Sequence, residues 1–264
     1  MSSNLPESNA YSIIVSKLRS AGCVYAEEEA QLLLSAAKTL EELEMRVEQR
    51  MAGYPLEHLI GWVDFCGQRI QIDPGVFVPR QRTGLLAKQA SILAQNGGIV
   101  VDMCCGSGAL GAVLLAEVEH IELHAVDIDP AAVKCAQRNI VLAKGFVYEG
   151  DLFEPLPARL QAQVHVLIAN APYVPTASIQ LLPQEARIHE PHVALDGGGD
   201  GLDVLRRVAA AAPTWLANNG YLLVETSARQ APFAEEIFKL HGLLPTTIHS
   251  EELDATVVIG QRSM

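Results

Sequence analysis

An α/β chain with a doubly wound, mostly parallel sheet is predicted by three observations. Strand and helix patterns alternate from about residue 99 to residue 240, the order that parallel sheets with right-handed crossovers require. A glycine-rich turn joins the first strand to its helix, and an acid closes the next strand. An apolar run, Val164 to Ile168, ends abruptly in Asn170-Ala171-Pro172-Tyr173. Strand ends of this kind are where open α/β sheets place their ligands.

Taken in order, residues 1–60 carry helical periodicity. Ile13, Ile14, Val15 and Leu18 form one apolar stripe, Leu32, Leu33 and Leu34 a second, and Leu40, Leu43, Val47 and Met51 a third. Thr39 before Glu41 and Glu42 is the expected N-cap of the third helix. The segment reads equally as a supporting bundle or as a substrate-facing appendage. Over 61–79 the period shortens, and Val63, Phe65, Ile70, Ile72, Val76 and Val78 with Gly67 and Pro74-Gly75 predict a β-hairpin linker. A helix follows over 85–94. Strands are then expected over 99–103, 123–127, 145–149, 164–169 and 221–225, with helices over 109–118, 130–143, 202–216 and 232–240. Segments 244–249 and 256–259 close the chain as an antiparallel hairpin. The organisation expected is 1–60 helical, 61–84 linker, and 85–264 the α/β domain.

Composition narrows the function. A hydrophobic share of 49% against 19% charged describes a packed globular chain of 264 residues. Five cysteines without a C-x-x-C pair favour reduced thiols over a disulfide framework or a zinc site, and hence a cytoplasmic setting. The first residues lack a basic and an apolar region, so no signal peptide is expected. No apolar run approaches the ~18 residues that span a bilayer. A net charge of −12 and a pI near 5.1 oppose a general duplex nucleic-acid binder.

Asp102-Met-Cys-Cys-Gly106-Ser-Gly108-Ala-Leu-Gly111 follows the first strand and opens a helix. Glycines allow a tight turn whose free N–H groups meet a ligand's polar atoms. Asp127 ends the next strand, where a carboxylate suits two ribose hydroxyls. These glycines also fit a dinucleotide, which keeps an NAD(P)-dependent oxidoreductase as a rival. Asp102 before the turn would oppose a pyrophosphate but pair with an amino group. With Asp127, Asp129 and Asp151 it forms an acidic rim that favours a cationic cofactor such as S-adenosyl-L-methionine. Asp151 and Leu152 fall where an adenine edge and face would lie.

At the other strand end, the Asn170 side-chain oxygen and the Ala171 carbonyl can both accept hydrogen bonds from a substrate NH2 group. Pro172 shapes the turn, and Tyr173 can cover the flat face of that group. The same arrangement would serve a flipped adenine, so an adenine-N6 nucleic-acid methyltransferase is a second rival. A binding protein that kept the fold without catalysis is a third. His189-Glu-Pro-His192 reads as a loop rather than a metal pair, because Pro191 breaks helical spacing. Arg80 and Arg82 read either as substrate contacts or as a solvated face of the linker.

In these residues the chain resembles the release-factor glutamine methyltransferases of the HemK/PrmC group over nearly its whole length. The likeness runs through Ala52-Gly53-Tyr54-Pro55-Leu56, Ile60-Gly61, Phe65 and Gly67, then Val78-Pro79-Arg80 and Thr83. It continues through Asp102 and Gly106-Ser107-Gly108, Asp127-Ile128, Gly150-Asp151-Leu152-Phe153 and the Asn170 motif. Glu190-Pro191, Ala194-Leu195, Gly197-Gly198 and Asp200-Gly201-Leu202 complete it. The resemblance implies a helical N-terminal substrate-recognition domain, the hairpin linker and a class I (Rossmann-like) methyltransferase domain using S-adenosyl-L-methionine. It implies methylation of a glutamine side-chain nitrogen in a protein, typically a translation release factor, with no membrane and no general nucleic-acid partner. The cofactor set is then Asp102, Cys104, Gly106, Gly108, Asp127, Ile128, Asp151, Leu152 and Asn170. The catalytic set is Asn170, Ala171, Pro172 and Tyr173, joined by Arg80 in holding substrate.

The chain also departs from the family pattern. The usual Asn-Pro-Pro-Tyr is Asn170-Ala171-Pro172-Tyr173, and the usual Pro-Arg-Pro-Glu-Thr-Glu is Pro79-Arg80-Gln81-Arg82-Thr83-Gly84. A glycine and a threonine of the cofactor loop are replaced by Cys104 and Cys105. These changes mark a divergent branch.

Overall fold

A computed structural model of the chain describes residues 7–141 and 144–263. Residues 1–6, 142–143 and 264, which belong to the expected helical segment, the helix over 130–143 and the α/β domain, lie outside the described residues. Four helices come first: α1 (Glu7–Ser20), α2 (Ala26–Ala36), α3 (Leu40–Met51) and α4 (Leu56–Ile60). They bury their own cluster, including Ile14, Leu18, Leu33, Leu43 and Val47. Thr39 caps α3 as expected, its hydroxyl accepting from the Glu42 N–H at 3.1 Å.

Strands β1 (Trp62–Phe65) and β2 (Gln68–Gln71) pair antiparallel around Cys66-Gly67. Both turn residues have positive φ, 50° and 74°, the signature of a two-residue type I′ turn. The expected hairpin over 61–84 is therefore shorter than its apolar pattern. Ile72, Val76 and Val78 are buried in the stretch that follows β2 without joining a strand.

The large sheet follows, with α5 (Gly84–Leu93), β3 (Gly98–Met103), α6 (Ala109–Glu117), β4 (Ile121–Asp127), α7 (Pro130–Ile140), β5 (Phe146–Glu149) and β6 (Val164–Ala169). Two short helices, α8 (Gln184–His189) and α9 (His192–Leu195), precede α10 (Asp203–Trp215) and β7 (Leu216–Thr226). The described chain closes with α11 (Ala231–Leu240), β8 (Leu243–Ser250) and β9 (Ala255–Arg262). Strand order is β5-β4-β3-β6-β7-β9-β8, with β3 to β7 parallel and β9 antiparallel to both neighbours. One apolar cluster joins the sheet to α5, α6 and α7, and another joins it to α10 and α11. Helices thus cover both faces, as a doubly wound sheet requires. The terminal strands β8 and β9 form the expected antiparallel hairpin, and it is part of the large sheet. β9 inserts between β7 and β8.

Two stretches differ from the sequence expectation for physical reasons. Helix α10 carries Pro213 in its last turn and stops at Trp215, so residues 216–220 join β7. His189 and His192 bracket a break between α8 and α9, where the sequence reads as loop. Ring contact with Tyr54 at 4.1 Å holds His189, and His192 lies 3.7 Å from Asp196.

Candidate active site

The strand order reverses between β3 and β6, and a cavity of about 470 Å³ opens there, at the C-terminal ends of the parallel strands. This is the switch point at which such sheets bind ligands. One half is lined by Cys104, Gly106, Asp127, Ile128, Asp151 and Leu152, the other by Asn170, Ala171, Pro172, Tyr173, Arg80 and Arg82. Two halves that are distant in the sequence therefore face one space.

The first half is held by main-chain amides. Asp127 Oδ2 accepts from the Gly106 N–H at 2.7 Å, and its Oδ1 accepts from the Asp129 N–H at 2.9 Å. Each carboxylate oxygen keeps a free lone-pair direction, because an ionised carboxylate accepts about four bonds. Gly106 has φ +55° and no atom within 4 Å of where a Cβ would stand, so the turn is open on the cavity side. Asp129 caps α7 by accepting from the Ala131 N–H at 2.9 Å. Asp151 pairs with Arg207 of α10 at 2.7 Å, and both line the cavity. Arg207 was invisible to sequence reasoning, since it is one polar position among many on an amphipathic helix.

Gly108 and Asp102, both expected in the cofactor set, do not line the cavity. Gly108 has φ +78°, and a Cβ there would meet Ile140 at 2.7 Å, so the residue serves close packing of α6 on α7. Asp102 is fully buried. Its Oδ2 accepts from the Gly111 N–H at 3.0 Å, while Oδ1 has no partner among the described residues. Burial pushes this carboxyl from 3.8 up to about 7, against the pull of the Gly111 amide and with a further push from the Asp127 charge. The native state therefore holds this proton more tightly than the unfolded chain does. The corresponding stability is complete below the ordinary value of 3.8 and is lost as pH rises through about 7. Urea melts at several pH values should show stability falling across that window in the parent, and a flatter profile in Asp102→Asn; parallel profiles would reject the assignment.

Cys104 lines the cavity with φ +57°, a left-handed conformation at the position where the family pattern carries glycine. A side chain in that region costs on the order of 1–3 kcal/mol. Burial, with the Asp127 and Asp102 charges adding to it, holds the Cys104 thiol well above the ordinary thiol range. It is a protonated packing group.

The second half is built from strand ends. Ala169 pairs with Val224, so Asn170 leaves its strand beside Glu225, which β7 still pairs with Val257 of β9. From behind, Gln230 Nε2 donates to the Tyr173 carbonyl at 3.0 Å and to the Asp200 carbonyl at 3.1 Å. Gly201, with φ +82°, packs so closely that a Cβ would lie 2.3 Å from the Tyr173 carbonyl oxygen. The loop is thus pinned to the glycine-rich segment 197–201. In contrast, neither the Asn170 side chain nor the Ala171 carbonyl has a hydrogen-bond partner among the described residues. Both residues line the cavity. Loss of the usual first proline ring at Ala171 leaves that carbonyl in place.

Arg80 donates to buried Glu190 at 2.7 Å and lies 4.9 Å over the Phe77 ring. Glu190 also accepts from the Val78 N–H at 3.3 Å. The guanidinium expected to grip substrate is committed to the cavity wall. Sequence reasoning missed Glu225, Phe77 and the wall role of Glu190. The first was legible as an acid ending a strand, next to the Asn170 strand in the sheet.

These donors and acceptors fit S-adenosyl-L-methionine. The open glycine turn, the spare lone pairs of Asp127 and the acidic rim of Asp127, Asp129 and Asp151 suit a ribose beside a cationic amino acid. No described helix is long and apolar enough to cross a membrane.

Residues 68–234 match the methyltransferase small domain family. A release factor glutamine methyltransferase of Geobacter sulfurreducens is 35% identical over 74% of this chain and 69% of its own length. A ribosomal protein uL3 glutamine methyltransferase of Bordetella pertussis is 36% identical over 72% of this chain and 64% of its own. Among solved structures, a 16S rRNA methyltransferase of T. thermophilus in complex with AdoMet and guanosine shares the fold. Its TM-score is 0.53 at 21% identity, covering 76% of this chain and 49% of that one. With its sheet topology, its strand-end cavity and this share of sequence identity, the chain belongs to the release factor glutamine methyltransferase family of methyltransferases.

Proposed function

We propose that this protein transfers the methyl group of S-adenosyl-L-methionine to the side-chain amide nitrogen of a glutamine in a protein, a release factor or a ribosomal protein. The observation that carries the reading is the pair of acceptors on consecutive cavity residues, Asn170 Oδ1 and the Ala171 carbonyl, that have no partner among the described residues. The names of the relatives, which specify glutamine in a release factor and in uL3, support the substrate class.

An amide nitrogen is a weak nucleophile because its lone pair is delocalised into the carbonyl. Holding both N–H bonds with fixed acceptors turns that lone pair toward the cofactor half of the cavity, and the Tyr173 ring covers the amide plane. When bound, the cofactor supplies an electrophilic methyl group on a sulfonium. The chain's own contribution is orientation, which is worth up to roughly 7–11 kcal/mol in well-aligned cases. Asp127 would hold the ribose, and Asp151 and Leu152 the adenine, while Asp102, buried behind the turn, would act only by bracing the start of α6 through the Gly111 amide.

We also read residues 1–60 as the substrate-recognition domain, 61–84 as its linker and 85–264 as the catalytic domain of a cytoplasmic protein. Pro55 and Glu57 reach the cavity wall, and Gly53 packs against Gln184 of α8, which supports a substrate-facing role for the helices. The test is incubation with labelled S-adenosyl-L-methionine and, separately, a purified release factor, uL3 and nucleic acid. Label on one glutamine of either protein, located by mass spectrometry, is expected. Label on adenine alone would reverse the reading.

A further inference from the structure

Tyr173 is held at its far end by two groups from elsewhere in the fold. Its hydroxyl lies 2.7 Å from Arg82 Nη2 and donates to Glu225 Oε1 at 3.1 Å, while Arg82 Nε lies 3.4 Å from the same carboxylate oxygen. The Glu225 side chain is only 3% exposed, and its Oε2 has no partner among the described residues. A carboxylate that far from water is costly unless a cation faces it. Arg82 is that cation. It reaches in from the short turn Gln81–Thr83 between the hairpin and α5, and it lines the cavity with Tyr173. The three residues close a triangle between that turn, the loop after β6 and the end of β7.

We propose that Arg82 is a positioning residue: it fixes the Tyr173 ring over the acceptor amide by clamping its hydroxyl against Glu225. The proposal rests on the reading of Tyr173 as the cover of that amide. The family pattern has glutamate where this chain has Arg82, so the clamp is a property of this chain's own sequence. A guanidinium donates from several N–H groups at fixed angles, which lets one side chain hold a phenol oxygen and a carboxylate together. Lysine offers the charge without that fork.

The test has a readout that needs no acceptor and one that does. In fluorine NMR of protein grown with 3-fluorotyrosine, the Tyr173 signal is identified by its loss in Tyr173→Phe. Arg82→Met should move and broaden that signal, with Arg82→Lys intermediate. An unmoved signal overturns the proposal. In methyl transfer to a purified release factor, Arg82→Met should lower kcat roughly 10- to 100-fold while calorimetric affinity for the cofactor stays within about twofold. Tyr173→Phe should lower kcat comparably, and the double variant should be no worse than either single one, because both break the same clamp. Additive losses, or normal kcat in Arg82→Met, also overturn it. Should Asn170→Ala retain normal turnover, or should the parent methylate no protein, the underlying reading of the site fails instead, and the fluorine signal still decides the clamp.

Discussion

Asn170→Ala should reduce turnover on the order of 10²- to 10³-fold, the loss seen when one preorganised polar contact to the reacting group is removed. Cofactor affinity should change little, since Asn170 stands on the acceptor side of the cavity and the glycine turn and Asp127 on the other. The contrast between the two readouts is the informative part. A folding defect would depress both, whereas loss of an acceptor depresses kcat alone. The fold has reason to tolerate the change, because the loop is held by Gln230 and by the segment 197–201 rather than by the Asn170 side chain. Single-turnover rates with a release factor, set beside calorimetry, give both numbers. Turnover within threefold of the parent would remove Asn170 from the catalytic role.

Asp127→Ala should weaken S-adenosyl-L-methionine binding by roughly 100-fold or more, because hydrogen bonds to a charged group contribute about 1.5–3 kcal/mol each. Two effects combine here. The ribose loses its acceptor, and the Gly106 and Asp129 amides lose the oxygens that hold both turns. Asp127→Asn separates them: its single carbonyl oxygen keeps one turn anchored while the paired acceptor geometry disappears, so an intermediate affinity is expected. Burial raises the Asp127 carboxyl above its usual value, with the Asp129 and Gly106 amides pulling it down. Acidification should therefore weaken binding earlier than an exposed aspartate would. Calorimetry of the two variants and the parent decides the matter, and equal affinities would strike Asp127 from the cofactor site.

Much of this architecture was readable before any coordinates, for identifiable reasons. Strand β6 announces itself because its buried residues, Val164 and Val166 to Ala169, are all apolar, and Asn170 announces its end. The turn at Gly106 and the acid at Asp127 are legible because backbone geometry and ribose chemistry both restrict residue choice. What escaped the sequence is tertiary. Asp102 and Gly108 sit in the right motif, yet burial against α6 and α7 takes them out of the cavity lining. Arg80 and Arg82 look alike in sequence, and only the fold reveals that one faces Glu190 and the other Glu225. The Asp151–Arg207 pair joins residues on different elements, and nothing local to either announces it.

The placement of β9 bears on when the site can mature. It follows β8 in the chain but stands between β7 and β8, and it pairs Val257 with Glu225. During synthesis β8 emerges from the ribosome without a neighbour to pair with, and the edge of β7 stays open until residues 255–262 arrive. Long-range pairings of this kind form late, because loop closure precedes any gain from contact. The acceptor wall, through Glu225, is thus among the last regions to set. The glycine turn after β3 and Asp127 at the end of β4, by contrast, pair with neither β8 nor β9 and need not wait for them.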